Sequence, residues 1–241
     1  LKHTHNDDEY YGTDGGEIYI LNKKGQIISS FGKNYNGYGY RYVASSKDGG
    51  FYFCNWYDPD PEYSLQQKGN IAVYKSSGSG EIEWSYTVAY GLGKAMSISG
   101  TQDNGVVFYY DGYIYKLNEN GTLEWKISGA SNIAILPNGN IVTIADSTLK
   151  ILNSSGSEVL NTKLSSNFNF ITTSLDNCIY LAGGKIIAKY DENGKKIWQR
   201  SIDFNITTIA TYSDGSVVVG TISPAYLIKY DKDGNNIFSI R

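Results

Sequence analysis

Nine residues spread over 56 positions combine flat rings with carboxylates in a way that suits ligand recognition: Tyr35, Tyr38, Tyr40, Trp56, Tyr57, Asp58, Asp60, Tyr63 and Tyr90. From Phe31 to Tyr63, eleven of 33 residues are aromatic, a third, against 14% for the chain. Tyr42, Phe51 and Phe53 fall on strand-like segments and are expected in the core, whereas the nine fall in or beside loops. An aromatic ring held in water on a loop asks for a reason. Three readings fit. The apolar C–H face of a sugar stacks on such rings while nearby Asn, Asp and Gln take its hydroxyls. A protein partner uses Tyr and Trp as anchors. Alternatively, the segment packs down and buries its own rings, with Pro59 and Pro61 stiffening it.

Asp58, Asp60 and Glu62 alternate with those prolines. Extended geometry there sets three carboxylates on one side, as a calcium site or an acid–base pair requires; solvated loop charge is the ordinary alternative. His3 and His5 are the only histidines. Their i, i+2 spacing on an innermost strand points both the same way, but with no third ligand assigned, a frayed terminus competes with a metal or catalytic role.

The elements that must position these residues are written six times. IYILNKKGQII, IAVYKSSGSGEIEW, IYKLNENGTLEW, LKILNSSGSEVL, IAKYDENGKKIW and LIKYDKDGNNIF each give a strand, a polar turn closing on glycine, and a second strand. The turn glycines Gly25, Gly80, Gly121, Gly156, Gly194 and Gly234 are spaced by 55, 41, 35, 38 and 40 residues. A period near 40 belongs to four-stranded blades or paired-helix repeats. Abundant glycine and tyrosine, and the lack of a long i, i+3, i+4, i+7 apolar stripe, exclude helices. Each period also holds an earlier hairpin, around KDGG, QDNG, PNGN, LDN and SDGS, whose Asn and Gly supply positive φ. At the start of the chain, LKHTH, NDD and EYYGT align as strand, turn and strand. The expectation is an all-β, six-bladed β-propeller of four-stranded antiparallel blades, in a single domain 1–241. The blades are approximately 1–32, 38–88, 95–129, 132–164, 169–202 and 206–241.

Continuously apolar strands such as 106–109 and 217–219 suit blades buried on both faces. Trp84, Trp125, Leu160, Trp198 and Phe238 each lie four residues after a turn glycine and are expected to pack on the next blade. Hairpin turns emerge on one rim and are uniformly short. The 31–40 and 89–94 connections and the insertion 55–68, which accounts for the 55-residue interval, emerge on the other rim around blade two.

A net charge of −3 and a pI near 5.4 give no basic footprint, so nucleic acid is not an expected partner. No apolar run reaches the roughly 18 to 20 residues of a membrane span, and no transmembrane segment is expected. No signal peptide is visible, and Leu1 is consistent with a processed or trimmed chain. Cys54 and Cys178 read as buried thiols of distant blades. Asn120, Asn153 and Asn205 open N-glycosylation tripeptides, the first two inside repeat turns.

The blocks YDENGKKIW (190–198) and LNENGTLEW (117–125) resemble the repeats of pyrroloquinoline-quinone-like β-propellers, a superfamily of quinoprotein dehydrogenases, outer-membrane assembly scaffold lipoproteins and surface repeat proteins. The resemblance spans essentially the whole chain and implies the propeller fold. The dehydrogenases' docking repeat places four residues' spacing between aspartate and glycine; here Asp191 to Gly194 and Asn118 to Gly121 are three apart. With six blades for the enzymes' usual eight, and neither vicinal cysteines nor a calcium-ligand cluster, the resemblance implies a noncatalytic member without a quinone cofactor. Asp231-Lys232-Asp233-Gly234 opens like a calcium loop but has no later glutamate, so no metal is expected. The reading is a noncatalytic binding or scaffold propeller for a protein or glycan ligand, secreted or associated with the cell envelope. It is expected to be monomeric, and the chain can be part of a longer one. The rival class is a hydrolase- or lyase-type enzyme using rim or channel carboxylates with His3 and His5.

Overall fold

A computed structural model describes residues 2–4, 17–21, 24, 26–31, 38–57, 70–90, 96–129, 131–145 and 147–241. All regular structure among them is strand. The first sheet holds β1 (Lys2–Thr4), β2 (Glu17–Leu21) and β3 (Ile27–Phe31). Five four-stranded antiparallel sheets follow, each in chain order. The second holds β4 (Tyr38–Ser45), β5 (Phe51–Tyr57), β6 (Asn70–Ser76) and β7 (Ile82–Tyr90), and the third β8 (Met96–Gly100), β9 (Val106–Tyr110), β10 (Tyr113–Leu117) and β11 (Leu123–Ser128). The fourth holds β12 (Asn132–Ile135), β13 (Ile141–Ala145), β14 (Thr148–Leu152) and β15 (Glu158–Lys163). The fifth comprises β16 (Phe170–Thr173), β17 (Ile179–Gly183), β18 (Ile186–Tyr190) and β19 (Lys196–Ser201), the sixth β20 (Ile206–Thr211), β21 (Val217–Thr221), β22 (Leu227–Tyr230) and β23 (Asn236–Ile240).

Two corrections to the sequence reading arise at its edges. The first sheet has three strands among the described residues, so the expectation of four in every blade is met by five sheets and not by six. Within it, β1 pairs directly with β2, His3 opposite Ile18. Lys2–Thr4 therefore takes the place beside β2 that the alignment had given to EYYGT. The physical reason is that an extended segment alongside an open strand satisfies that strand's N–H and C=O groups. His5 and EYYGT lie outside the described residues.

Contacts divide the chain into two compact units, 1–111 with 115–124 and 112–114 with 125–241. In the first, Tyr52, Cys54, Ile71 and Val73 of the second sheet pack against Val106, Phe108, Tyr115 and Leu117 of the third. In the second, Val142, Ile144, Leu149 and Ile151 meet Ile179, Leu181 and Ala188, and on the other face Tyr180, Ala182, Ile187 and Trp198 meet Val217, Val219, Ile228 and Tyr230. The fifth sheet is thus covered on both faces, so β17 is apolar without alternation and buried at every position. Outermost strands alternate instead, as in β15, because one face meets water.

One contact recurs at the four junctions from the second sheet to the sixth. A side chain built on Gly121 meets the Trp84 ring at 2.7 Å, one on Gly156 meets Trp125 at 3.0 Å, and one on Gly234 meets Trp198 at 2.9 Å. Gly194 stands in the same relation to Leu160. The bulky residue four places after one turn glycine therefore lies on the turn glycine of the next sheet. Each indole also donates Nε1–H across the junction, Trp84 to the Glu119 carbonyl at 2.7 Å, Trp125 to Ser154 at 3.1 Å and Trp198 to Lys232 at 3.0 Å. For Phe238 no such partner is described.

Candidate functional site

The nine residues singled out by chemistry divide into five that the structure describes and four, Tyr35, Asp58, Asp60 and Tyr63, that lie outside the described residues. Tyr38 and Tyr40 open β4, Trp56 and Tyr57 close β5, and Tyr90 closes β7. All five were read as loop or loop-edge residues, and all five are strand residues. Tyrosine and tryptophan have high strand propensity, so the ladder continues through them where a hydrophobicity reading sees a loop.

The register brings the five to one end of one sheet. Tyr38 stands opposite Tyr57, Gly39 opposite Trp56 and Tyr40 opposite Asn55. Tyr90 stands opposite Asn70, where β6 begins. This end is opposite the hairpin turns 46–50 and 77–81, as the topology requires, and the segments 32–37, 58–69 and 91–95 leave from it. Register also separates the candidates: Tyr38, Tyr40 and Tyr57 occupy one alternate set of ladder positions, Trp56 the other.

Polar interior groups are concentrated at the opposite end of the sheets. Lys75, Lys116 and Lys189 occupy one repeat position on β6, β10 and β18, and all three are buried. Each reaches an aspartate in the first turn of its own sheet, Lys75 to Asp48 at 2.5 Å, Lys116 to Asp103 at 2.9 Å and Lys189 to Asp176 at 3.4 Å. Glu83 and Glu124 supply second carboxylates to Lys75 and Lys116, at 3.1 and 3.2 Å. Buried ammonium groups persist only when paired in this way. The hydrogen bond from Lys75 holds the Asp48 carboxyl at about 2, below its ordinary 3.8. Burial pulls the Lys75 ammonium down, but the hydrogen bonds to Asp48 and Glu83 outweigh it and leave its pKa raised. In the fourth sheet the equivalent positions are Ile151 and Asn138, so lysine and aspartate are absent together. These pairs brace turns against strands and leave no charge free for chemistry.

Cys178 touches the same cluster, its Sγ 3.5 Å from Asp176 Oδ2, and burial pushes its thiol up. Neither it nor Cys54 is in a disulfide. Among the described residues no group of three or more His, Cys, Asp or Glu side chains could hold a metal. No helix among them is long and apolar enough to cross a membrane.

A second elaborated pair of connections was missed by sequence reasoning. In the third, fourth and fifth sheets the second and third strands are joined by two residues, 111–112, 146–147 and 184–185; in the sixth, five residues, 222–226, do so. That loop is braced internally. Thr221 N–H donates to the Tyr226 carbonyl at 3.0 Å, Tyr226 N–H donates to Thr221 Oγ1 at 3.0 Å, and Thr221 Oγ1 donates to the Pro224 carbonyl at 2.6 Å. Phe204, from the connection entering the same sheet, stacks on Tyr226 with centroids 4.9 Å apart and planes within 7°. The signal available in the sequence was the length of TISPAY against the two-residue turns of its neighbours.

No family model and no curated protein matches the chain. Solved structures do. The chain resembles a catalytically inactive virginiamycin B lyase from Staphylococcus aureus with quinupristin, at TM-score 0.69 and 14% identity over 93% of this chain and 73% of that one. It resembles BamB from Moraxella catarrhalis at 0.61 and 15%, over 100% and 72%. A protein of unknown function from Bacteroides caccae aligns at 0.58 and 16%, over 95% and 91%. At such identities the likeness speaks for fold, and together with the five four-stranded antiparallel sheets it gives a β-propeller fold.

Proposed function

We propose that this chain is a six-bladed, noncatalytic binding propeller that recognises a protein partner or a glycan through the rim of the sheet β4–β7. In this reading the sheet β1–β3 belongs to the sixth blade. The observation that carries the reading is the register: it gathers Tyr38, Tyr40, Trp56, Tyr57 and Tyr90 at the one sheet end from which the aromatic and acidic connections leave. Aromatic side chains at the border of long connections are the usual anchors of recognition surfaces on rigid scaffolds. Tyr35, Asp58, Asp60 and Tyr63 belong to the same connections and complete the proposed site. Membership of the pyrroloquinoline-quinone-like superfamily as a noncatalytic repeat protein, and a secreted or envelope location, are part of the same proposal. They rest on the YDENGKKIW and LNENGTLEW blocks. The enzymatic alternative needs a pocket that brings His3 or His5 to Asp58 or Asp60, of which His5, Asp58 and Asp60 lie outside the described residues.

The test is a glycan array and a defined panel of purified candidate proteins, probed with the chain and with a Trp56→Ala/Tyr57→Ala variant whose strand content is checked by circular dichroism. A ligand lost by at least about tenfold in the variant is expected, as removal of central aromatic anchors costs on the order of 2 kcal/mol or more. Unchanged affinity in the variant overturns the site.

A further inference from the structure

The repeat elaborates the same pair of connections in two places. In the sheet β4–β7, they are the segment entering the first strand and the one joining the second strand to the third. In the sheet β20–β23, they are 202–205 and 222–226, and here both are described.

We infer that this second pair of connections is a saccharide-binding subsite, with the face of one sugar ring lying on Phe204. Tyr226 packs against the apolar cluster of Tyr180, Ala182, Ile187, Val217 and Val219, and Phe204 covers Tyr226. The ring is thus seated on a rigid base. The neighbouring residues of the two connections divide by chemistry. Ile222 is 73% exposed and adds aliphatic surface. Asp203, Asn205 and Ser223 are exposed, and among the described residues their side chains make no hydrogen bond. An aromatic face with an unengaged carboxylate at i−1 and an unengaged amide at i+1 matches a pyranose, whose C–H face is apolar and whose equatorial hydroxyl pairs suit planar bidentate partners.

Rigidity supports recognition by so small a surface. Besides the three hydrogen bonds inside 221–226, Ile202 N–H donates to the Lys185 carbonyl at 2.9 Å and Ile206 N–H to the Gly184 carbonyl at 2.7 Å, so both connections are held before any ligand arrives. A ligand then loses little to ordering the site. Size decides between a sugar and a macromolecular partner. A stable protein interface needs roughly 800 Å² from each side, whereas one stacked ring with two flanking polar groups matches a single sugar residue.

The experiment is titration of the purified chain with glucose, galactose, mannose and N-acetylglucosamine and their β-1,4-linked trimers, followed by ligand-observed saturation transfer and by amide shifts of 203–206 and 222–227. At least one sugar should shift those amides saturably, with affinity in the millimolar range or tighter. Phe204→Ala should weaken it by about tenfold, about 1.4 kcal/mol; Phe204→Tyr should retain it and serves as the folding control. Asn205→Ala should weaken it several-fold. Because the amides read are those of 203–206 and 222–227, loss of this binding is distinguishable from loss of binding at the proposed rim of β4–β7. The inference is overturned if no sugar shifts these amides, if Phe204→Ala binds as tightly as the parent, or if a proline-rich peptide saturates the site and the sugars do not.

Discussion

Gly121 is held to glycine by two independent constraints. Its φ of +77° lies in the left-handed region, and the position where a side chain would begin is 2.7 Å from the Trp84 ring. Gly49, at φ +89° with nothing within 4 Å, carries only the first constraint. The pair separates backbone strain from packing. Gly49→Ala is expected to cost about 1 to 2 kcal/mol, the order of a nonglycine residue forced into positive φ. Gly121→Ala should cost about 2 to 3 kcal/mol more, because the indole must leave the turn and its bond to the Glu119 carbonyl. Denaturant unfolding of both variants checks this, and equal losses would show that the ring contact carries no energy. The bulky residue was legible because it recurs at a fixed distance from a glycine. The indole N–H bond to a carbonyl of the next sheet was not, since any residue has a carbonyl and the sequence does not mark which one is met.

At the scale of an element, the lysine–aspartate pairs show what linear reading loses. Asp103 and Asp176 precede their lysines by 13 residues, but the second sheet's long insertion sets Asp48 27 residues before Lys75. The pattern emerges only when first turns and third strands are compared sheet by sheet, where Asn138 and Ile151 replace both members together. The same compression hid the aromatic strand ends: the residues that make Tyr38 to Tyr40 and Trp56 to Tyr57 look like recognition loops also make good strands. The pairs predict a pH dependence with a definite sign. Asp48 has its pKa depressed from 3.8 to about 2 on folding, so its contribution is complete above about pH 4 and is lost as pH falls toward 2. Lys75 has its pKa raised above 10.5, so its contribution is complete below that value and is lost only at more alkaline pH. Asp48→Asn should therefore destabilise the protein at pH 6, and the difference should shrink to about a third of that near pH 2.5. Thermal melts of both proteins across pH 2.5 to 7 test it; a difference independent of pH would remove the ion pair from the explanation.

For the whole molecule, what was legible is what is repeated. Six copies of one turn motif, with hairpins between, average out the ambiguity of any single strand, so the sheets β4 to β23 follow the spacing closely. Sites are by nature the places where the repeat is broken, and a break carries no second copy against which to read it. That is why the aromatic segment of the second sheet was seen through sheer composition, and the five-residue loop 222–226 was not. The repeat also orders stability by layer. Second strands are buried on both faces, as in β17, and hydrogen-bonded on both sides. Fourth strands pair on one side only and keep residues in water, alternate ones along much of β15 and nearly all of β23. Backbone opening should therefore be costly in the middle of each sheet and cheap at its outer edge. Hydrogen exchange followed by mass spectrometry is expected to find peptides containing 141–145 and 179–183 protected about 100-fold or more beyond peptides containing 158–163 and 196–201. The gradient should recur in the third and sixth sheets, with 106–110 and 217–221 slow against 123–128 and 236–240. Uniform protection across a sheet would mean that each opens as one unit, and that burial of the second strand does not set local stability.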